Sequence, residues 1–266
     1  METPISLFKR PVLNIYFFCG RGSNFTTKRV LAVASLPVVF LLLFFSQPVC
    51  PGQIFINENF DTLANWTPVL FPGIDRHSEY HIQATGTANI LVARSNASAS
   101  GIRFAKEFNV YEYPVVRWRW KVDHVYEDGD VEKKSGDDYP LRIYIMFKYD
   151  SKEAGLGDKI IYSLAKAVYG EYPPHSSLNY IWANKPHERA IYPSPYTDKA
   201  KLIILRAGNA ESGTWKEEEV NIVEDYKKAF AVLPPHAASI AIMNDSDNTG
   251  ESSVSYLDYI QVLRKE

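Results

Sequence analysis

Along much of this chain apolar and polar residues alternate with a period of two. Val116, Trp118, Trp120 and Val122 fall on one side of a strand, and Val115, Arg117, Arg119 and Lys121 on the other. Leu141, Ile143, Ile145 and Phe147 repeat the pattern against Arg142, Tyr144, Met146 and Lys148. Such alternation places one strand face in a core and the other in water. Further strands are expected at 81–84, 90–94, 102–108, 179–183, 201–206, 216–222, 239–243 and 253–262, with an opening strand in FINENFD (55–61). Gly, Pro, Asn and Asp clusters separate them. Many short strands with such turns predict an all-β fold, an antiparallel β-sandwich of the jelly-roll, galactose-binding-like kind. One stretch departs from the period. From Asp158 to Tyr169, Ile160, Ile161, Leu164, Ala165 and Val168 share a helical face, so one short helical insertion is expected there, capped by Asp158 and stopped by Gly170. A helical turn is expected at 223–230, before Pro234-Pro235.

The front of the chain has a different character. Lys28 and Arg29 precede sixteen residues, Val30 to Phe45, interrupted only by Ser35 and Pro37. A basic start and an apolar run shorter than the roughly 20 residues of a bilayer span read as an export signal. A retained anchor, or a lipidated Cys50 behind a poorly matching lipobox, are the other readings. Residues 1–27 carry no domain signal and read as an over-extended start. The expected division is 1–50, extension plus signal or anchor, and 51–266, one sandwich domain. Membrane contact is then expected only through the front segment, if it is uncleaved or lipidated, and in each of these readings the body is delivered across a membrane.

That division changes the charge. The first fifty residues hold five of the 29 basic groups and one of the 31 acidic groups, leaving 24 against 30, about −6. An acidic body argues against a nucleic-acid partner, which calls for a basic patch. Both cysteines, Cys19 and Cys50, lie in the front segment, so the body holds no disulfide, thiolate zinc site or catalytic thiol. The six histidines offer no helical zinc pair, and G-x-S-x-G, P-loop and dinucleotide fingerprints are missing.

Chemistry is therefore sought among acids and aromatics. Asp137 and Asp138 precede the strand that carries Arg142, and Asp245 and Asp247 lie in the turn NDSDNTG. Convergence of these loops would give a charged groove on a concave sheet, with Asp138 and Asp245 or Asp247 as candidate catalytic acids of a glycosidase-like pair. The turn resembles the start of an EF-hand loop, but the twelfth position counted from Asp245 is Tyr256 rather than Glu, so that motif is rejected. Trp182 and Trp215 are candidate platforms for sugar rings. In the last strand Val254, Tyr256, Asp258, Ile260 and Val262 share a face, which predicts a buried Asp258. With Glu58 of the opening strand it is a candidate for a structural Ca²⁺ site, since a buried carboxylate needs a partner.

Several blocks together resemble a bacterial family catalogued as domain of unknown function 3047. They are NENFDTLANW, VVRWRWKVD (115–123), GDDYPLRIYIMF (136–147), NYIWAN (179–184), and the tail from NIVEDYKKAF through IAIMNDSDNTG to YLDYI, spanning about 57–262. The resemblance implies exported proteins of Gram-negative type bacteria with a β-sandwich, no established activity and no catalytic residues to transfer. The opening and closing strands also look like those of jelly-roll carbohydrate-binding modules, where a structural Ca²⁺ often bridges first and last strands. Three functional readings follow. The first is a module binding a glycan or other envelope component near Asp137, Asp138, Arg142, Trp182, Trp215, Asp245 and Asp247. The alternative is a polysaccharide-active hydrolase or lyase using the loop carboxylates. The third is an envelope assembly factor with no small ligand.

Overall fold

The computed structural model describes residues 54–86, 88–150 and 173–265. The front segment and the helix expected at Asp158–Tyr169 lie outside the described residues. Among the described residues there are fourteen strands: β1 (Ile54–Glu58), β2 (Trp66–Val69), β3 (Glu79–Ala84), β4 (Asn89–Asn96), β5 (Ala99–Phe104), β6 (Phe108–Asn109), β7 (Val115–Val122), β8 (Arg142–Phe147), β9 (Ser176–Ala183), β10 (Ile191–Ser194), β11 (Thr197–Ala207), β12 (Lys216–Asn221), β13 (Ala237–Asp245) and β14 (Ser252–Leu263). A six-stranded sheet runs β12-β7-β14-β4-β3, with β1 beside β14. An eight-stranded sheet runs β10-β11-β9-β8-β13-β5-β2, with β6 beside β13. Each of these pairings is antiparallel except that of β11 with β9. This is the jelly-roll β-sandwich expected from the alternation.

The two alternating faces meet as the core. Trp118 and Trp120 on β7 are fully buried, as are Ile143, Ile145 and Phe147 on β8. Rings from the two sheets touch across the gap: Trp118 lies 5.4 Å from Tyr180, and Trp120 lies 5.7 Å from Trp182. The expected helical turn is α1 (Ile222–Phe230), where the Asn221 side chain accepts from the N–H groups of Val223 and Glu224 and Ala231 closes the end in a left-handed conformation.

The last strand corrects the sequence reading. Opposite β7, Leu257 pairs with Trp120 and Ile260 with Trp118, and the register shifts between Leu257 and Tyr259. The extra residue moves the inward set from Ser253, Ser255 and Leu257 to Ile260 and Val262. Asp258 sits in this β-bulge and turns outward to Arg119 (2.9 Å). A strict period of two, carried across the bulge, puts it on the wrong face.

The outer face of the large sheet is also covered. The 124–141 segment folds back onto it, with Val131 and Tyr139 packing on Ile181, Ala183, Tyr192 and Leu202 as a second, smaller core. Its 3₁₀ turn, Lys134–Gly136, lies tightly against the chain at Asp130, whose N–H donates to the Gly136 carbonyl (2.7 Å).

Candidate functional site

Five of the charged residues singled out in the sequence do meet. Arg142 opens β8 and Asp245 ends the neighbouring β13. Their side chains share a fork-to-fork contact in which Arg142 Nε donates to Asp245 Oδ1 at 2.9 Å and Nη2 donates to Oδ2. The 3₁₀ turn brings Asp137 onto the same guanidinium, with Nη2 donating to its carbonyl (2.6 Å) and Nη1 to Oδ2 (3.3 Å). Tyr139 places its ring 4.6 Å from the guanidinium carbon. Asp138 Oδ2 accepts from the Thr249 N–H (2.6 Å), which joins the loop before β8 to the turn after β13. Oxygens of Asp138, Asp245 and Asp247 all lie within 4.8 Å of one another.

The surroundings set the electrostatics. Asp137, Asp138, Arg142 and Asp245 are all buried, so the cluster is no open groove. Burial raises the Asp138 carboxyl above its usual range, against the pull of Thr249 and Arg142, and the Asp247 charge adds to the rise. Burial beside Asp137 likewise pushes the Tyr139 hydroxyl up. At the rim Tyr196, from the β10–β11 turn, donates its hydroxyl to Asn248 Oδ1 (3.0 Å), with the Lys134 amine 5.2 Å from its ring.

The remaining candidates lie elsewhere. Trp182 is fully buried and donates its indole N–H to the Gly208 carbonyl (3.0 Å), so it has no face for a sugar ring. Its place in the inner stripe of β9 makes it core. Glu58 faces inward and accepts from the Phe60 N–H (2.6 Å) and the Trp66 indole N–H (3.2 Å). Asp258 points out of the opposite face of the same sheet, so the two do not form the expected Ca²⁺ pair. Arg117 and Arg119 are on the six-stranded sheet and pair with Glu219 and Asp258, away from Arg142. Trp215 is half-buried on that sheet's outer side, 5.1 Å from the Arg119 guanidinium and edge-on to Tyr256 at 6.4 Å.

A cleft of about 600 Å³ lies where the end of β4 meets the start of β14, lined among others by Arg76, His77, Glu79, Arg94, Asn96 and His124. Its floor follows the pairing register. Glu79 lies opposite Arg94, and Arg94 opposite Val254. One step along, Tyr256 lies opposite Lys121, whose amine is 4.0 Å from the tyrosine ring. His124 closes one end through the Ser252 carbonyl (2.8 Å). A second, more apolar cavity of about 270 Å³ adjoins it through His77 and is lined by Trp66, Tyr80 and Leu70. The cleft residues escaped sequence reasoning because they come from loops and strands far apart in the chain. A usable signal was the run of serines at inward strand positions. Ser95 and Ser253, which line the inner wall of the cleft, bond each other and the Tyr126 hydroxyl at 2.7 to 3.3 Å.

A family model described as "Protein of unknown function (DUF3047)" matches residues 64–261, and the chain belongs to this family. No curated protein is a match. Among solved structures the chain is similar to a family 11 carbohydrate-binding module from Clostridium thermocellum in complex with a β-1,3-1,4-mixed-linked tetrasaccharide, at 11% identity over 78% of this chain and 95% of that one, with a TM-score of 0.37. It is also similar to endoglucanase 3 of family GH12 from Trichoderma harzianum, at 8% identity over 77% and 100%, with a TM-score of 0.39. The winged bean acidic lectin complexed with methyl-α-D-galactose is a third, at 8% identity over 79% and 98%, with a TM-score of 0.36.

Proposed function

We propose that this member of the DUF3047 family is an exported, non-catalytic glycan-binding protein whose ligand lies across the outer side of the six-stranded sheet. The observation that carries this reading is that β14 joins the cleft to an aromatic pair, since Val254 lines the cleft and Tyr256 follows two residues along the same strand face. Planar hydrogen-bonding side chains (Arg76, Arg94, His77, His124, Glu79, Asn96) line one end. Tyr256 and Trp215 lie beyond, edge to face. A sugar ring has hydroxyls around its rim and C–H groups on its faces, so it needs this combination of polar forks and aromatic surface. Cations and acids are mixed along the strip, which suits a neutral or weakly acidic polysaccharide.

Burial speaks against the hydrolase reading at the carboxylate cluster. Asp138 and Asp245 are close enough to act as a pair, but both are nearly inaccessible and Asp245 is held by Arg142. A scissile glycosidic bond has to lie between two reachable acids. Export rests on the basic start and apolar run of the Lys28–Phe45 segment. The destination this reading supports is the periplasm or envelope, with membrane attachment only if that segment is retained or lipidated.

Affinity electrophoresis of the full-length chain against neutral and uronic-acid polysaccharides tests the reading. Retardation by at least one polymer is expected, with Arg94→Ala and Trp215→Ala each weakening it about tenfold or more, the equivalent of about 1.4 kcal/mol. Retardation equal in both variants to that of the wild type, or by none of the polymers, overturns it.

A further inference from the structure

The carboxylate cluster holds more negative charge than its protein partners offset. Asp137, Asp138, Asp245 and Asp247 converge, and Arg142 is the cationic side chain that bonds them among the described residues, committed to Asp245 and Asp137. Asp138 is 2% exposed, and its Oδ1 accepts no hydrogen bond among the described residues. A buried carboxylate oxygen without a donor is costly unless a cation or a proton meets it. Its carboxyl group lies within the Asp138, Asp245 and Asp247 cluster. Each carboxylate oxygen has two lone-pair directions, so Asp245 can serve Arg142 and a cation together.

We propose that Asp138, Asp245 and Asp247 bind one Ca²⁺, which ties the 134–140 loop to the turn after β13. The donor set is all oxygen, with no imidazole or thiolate, as a hard cation requires. At Ca–O distances of about 2.3–2.6 Å, two ligands on opposite sides of an ion are about 4.6–5.2 Å apart, and neighbouring ligands are closer. The three oxygens, all within 4.8 Å of one another, are close enough together to share one such ion. The position is new with respect to the pairing of first and last strands, where Glu58 and Asp258 are engaged with protein donors. The proposal stands on the cluster alone and is independent of glycan binding.

The test is calorimetric titration and thermal unfolding of the full-length chain, stripped of metal and then given CaCl₂, MgCl₂ or NaCl at matched ionic strength. One Ca²⁺ per chain is expected, with Tm rising by about 5 °C or more at calcium a hundredfold above Kd. Asp247→Asn, at a half-exposed position, should lose at least tenfold in calcium affinity, while Asp258→Asn keeps it. If Asp247→Asn does not fold, Asp138→Asn replaces it, and the wild-type stoichiometry is read directly by equilibrium dialysis. No calcium heat and no Tm shift in the wild type overturns the proposal. So does full affinity in the folded Asp247→Asn or Asp138→Asn variant, or a response to MgCl₂ equal to that to CaCl₂.

Discussion

Arg142 and Asp245 face each other from adjacent strands with their side chains 4% and 2% exposed, and the fork of the guanidinium meets both carboxylate oxygens. Removing one member of such a pair leaves the other charged and desolvated. Arg142→Ala is therefore expected to cost about 3–5 kcal/mol. Arg119→Ala breaks a pair whose arginine is 42% exposed, and is expected to cost about 1 kcal/mol or less. Urea unfolding of the two variants checks the contrast, and equal losses would contradict this account of the cluster.

Glu58 links stability to pH. Burial raises its carboxyl above the usual value, opposed by the N–H groups of Phe60 and Trp66, with the nearby Asp61 charge adding to the rise. The native state thus keeps a proton that the unfolded chain has already lost. Stability contributed by the protonated group is complete below the unfolded value of 4.5 and is lost as pH rises through the higher native value. Glu58→Gln keeps the uncharged shape, so its stability minus that of wild type should increase as pH rises from about 4 to 7. Denaturant titrations across that range measure the difference. A flat or falling difference would show that the hydrogen bonds outweigh burial.

Gly136 is required by space and not by a special dihedral angle. A Cβ there would lie 2.5 Å from the Asp130 nitrogen and 2.8 Å from the Asp128 carbonyl oxygen. Gly136→Ala is expected to force the loop off the large sheet, lowering stability by about 1–3 kcal/mol. Protection of the Asp130 amide, bonded to Gly136, should fall in hydrogen exchange. Unchanged protection would mean that the loop can shift without losing this contact.

The two candidate tryptophans should separate cleanly. Trp182→Ala opens a core site between the sheets and is expected to cost about 3–5 kcal/mol. Trp215→Ala removes a half-buried ring and its contacts with Arg119 and Lys121, for about 1 kcal/mol. Thermal unfolding ranks them, and the reverse order would refute the placement of Trp182 in the core.

The architecture was legible wherever the alternation was uninterrupted. β7 and β8 lie where their patterns put them, because a one-residue slip would turn every Trp or Ile of the stripe into water. The short β2 and β10 carry no comparable stripe, and the pattern predicts no strand there. The Asp258 error has a local cause, since a single bulge residue reverses the phase and a serine-rich half-strand gives no apolar stripe to reveal it. The carboxylate cluster was half legible. Its residues stand out in the sequence and do converge, but the expected open groove is a buried knot, because Val131 and Tyr139 anchor the loop over the sheet.

Local patterning, then, was enough to specify a strand-rich sandwich, its core tryptophans Trp118 and Trp120, and an acidic body behind a basic, apolar front segment. Those properties depend on neighbours in the chain, on side-chain alternation and on charge counts. Which carboxylates would be buried, which tryptophan would keep an open face, and where a cleft would form depend on pairing between segments more than a hundred residues apart, as with Arg142 and Asp245 or Arg94 and Val254. Burial and electrostatic partnership are sums over all elements that pack around a group, and they come into being only when the two sheets and the folded-back loop close.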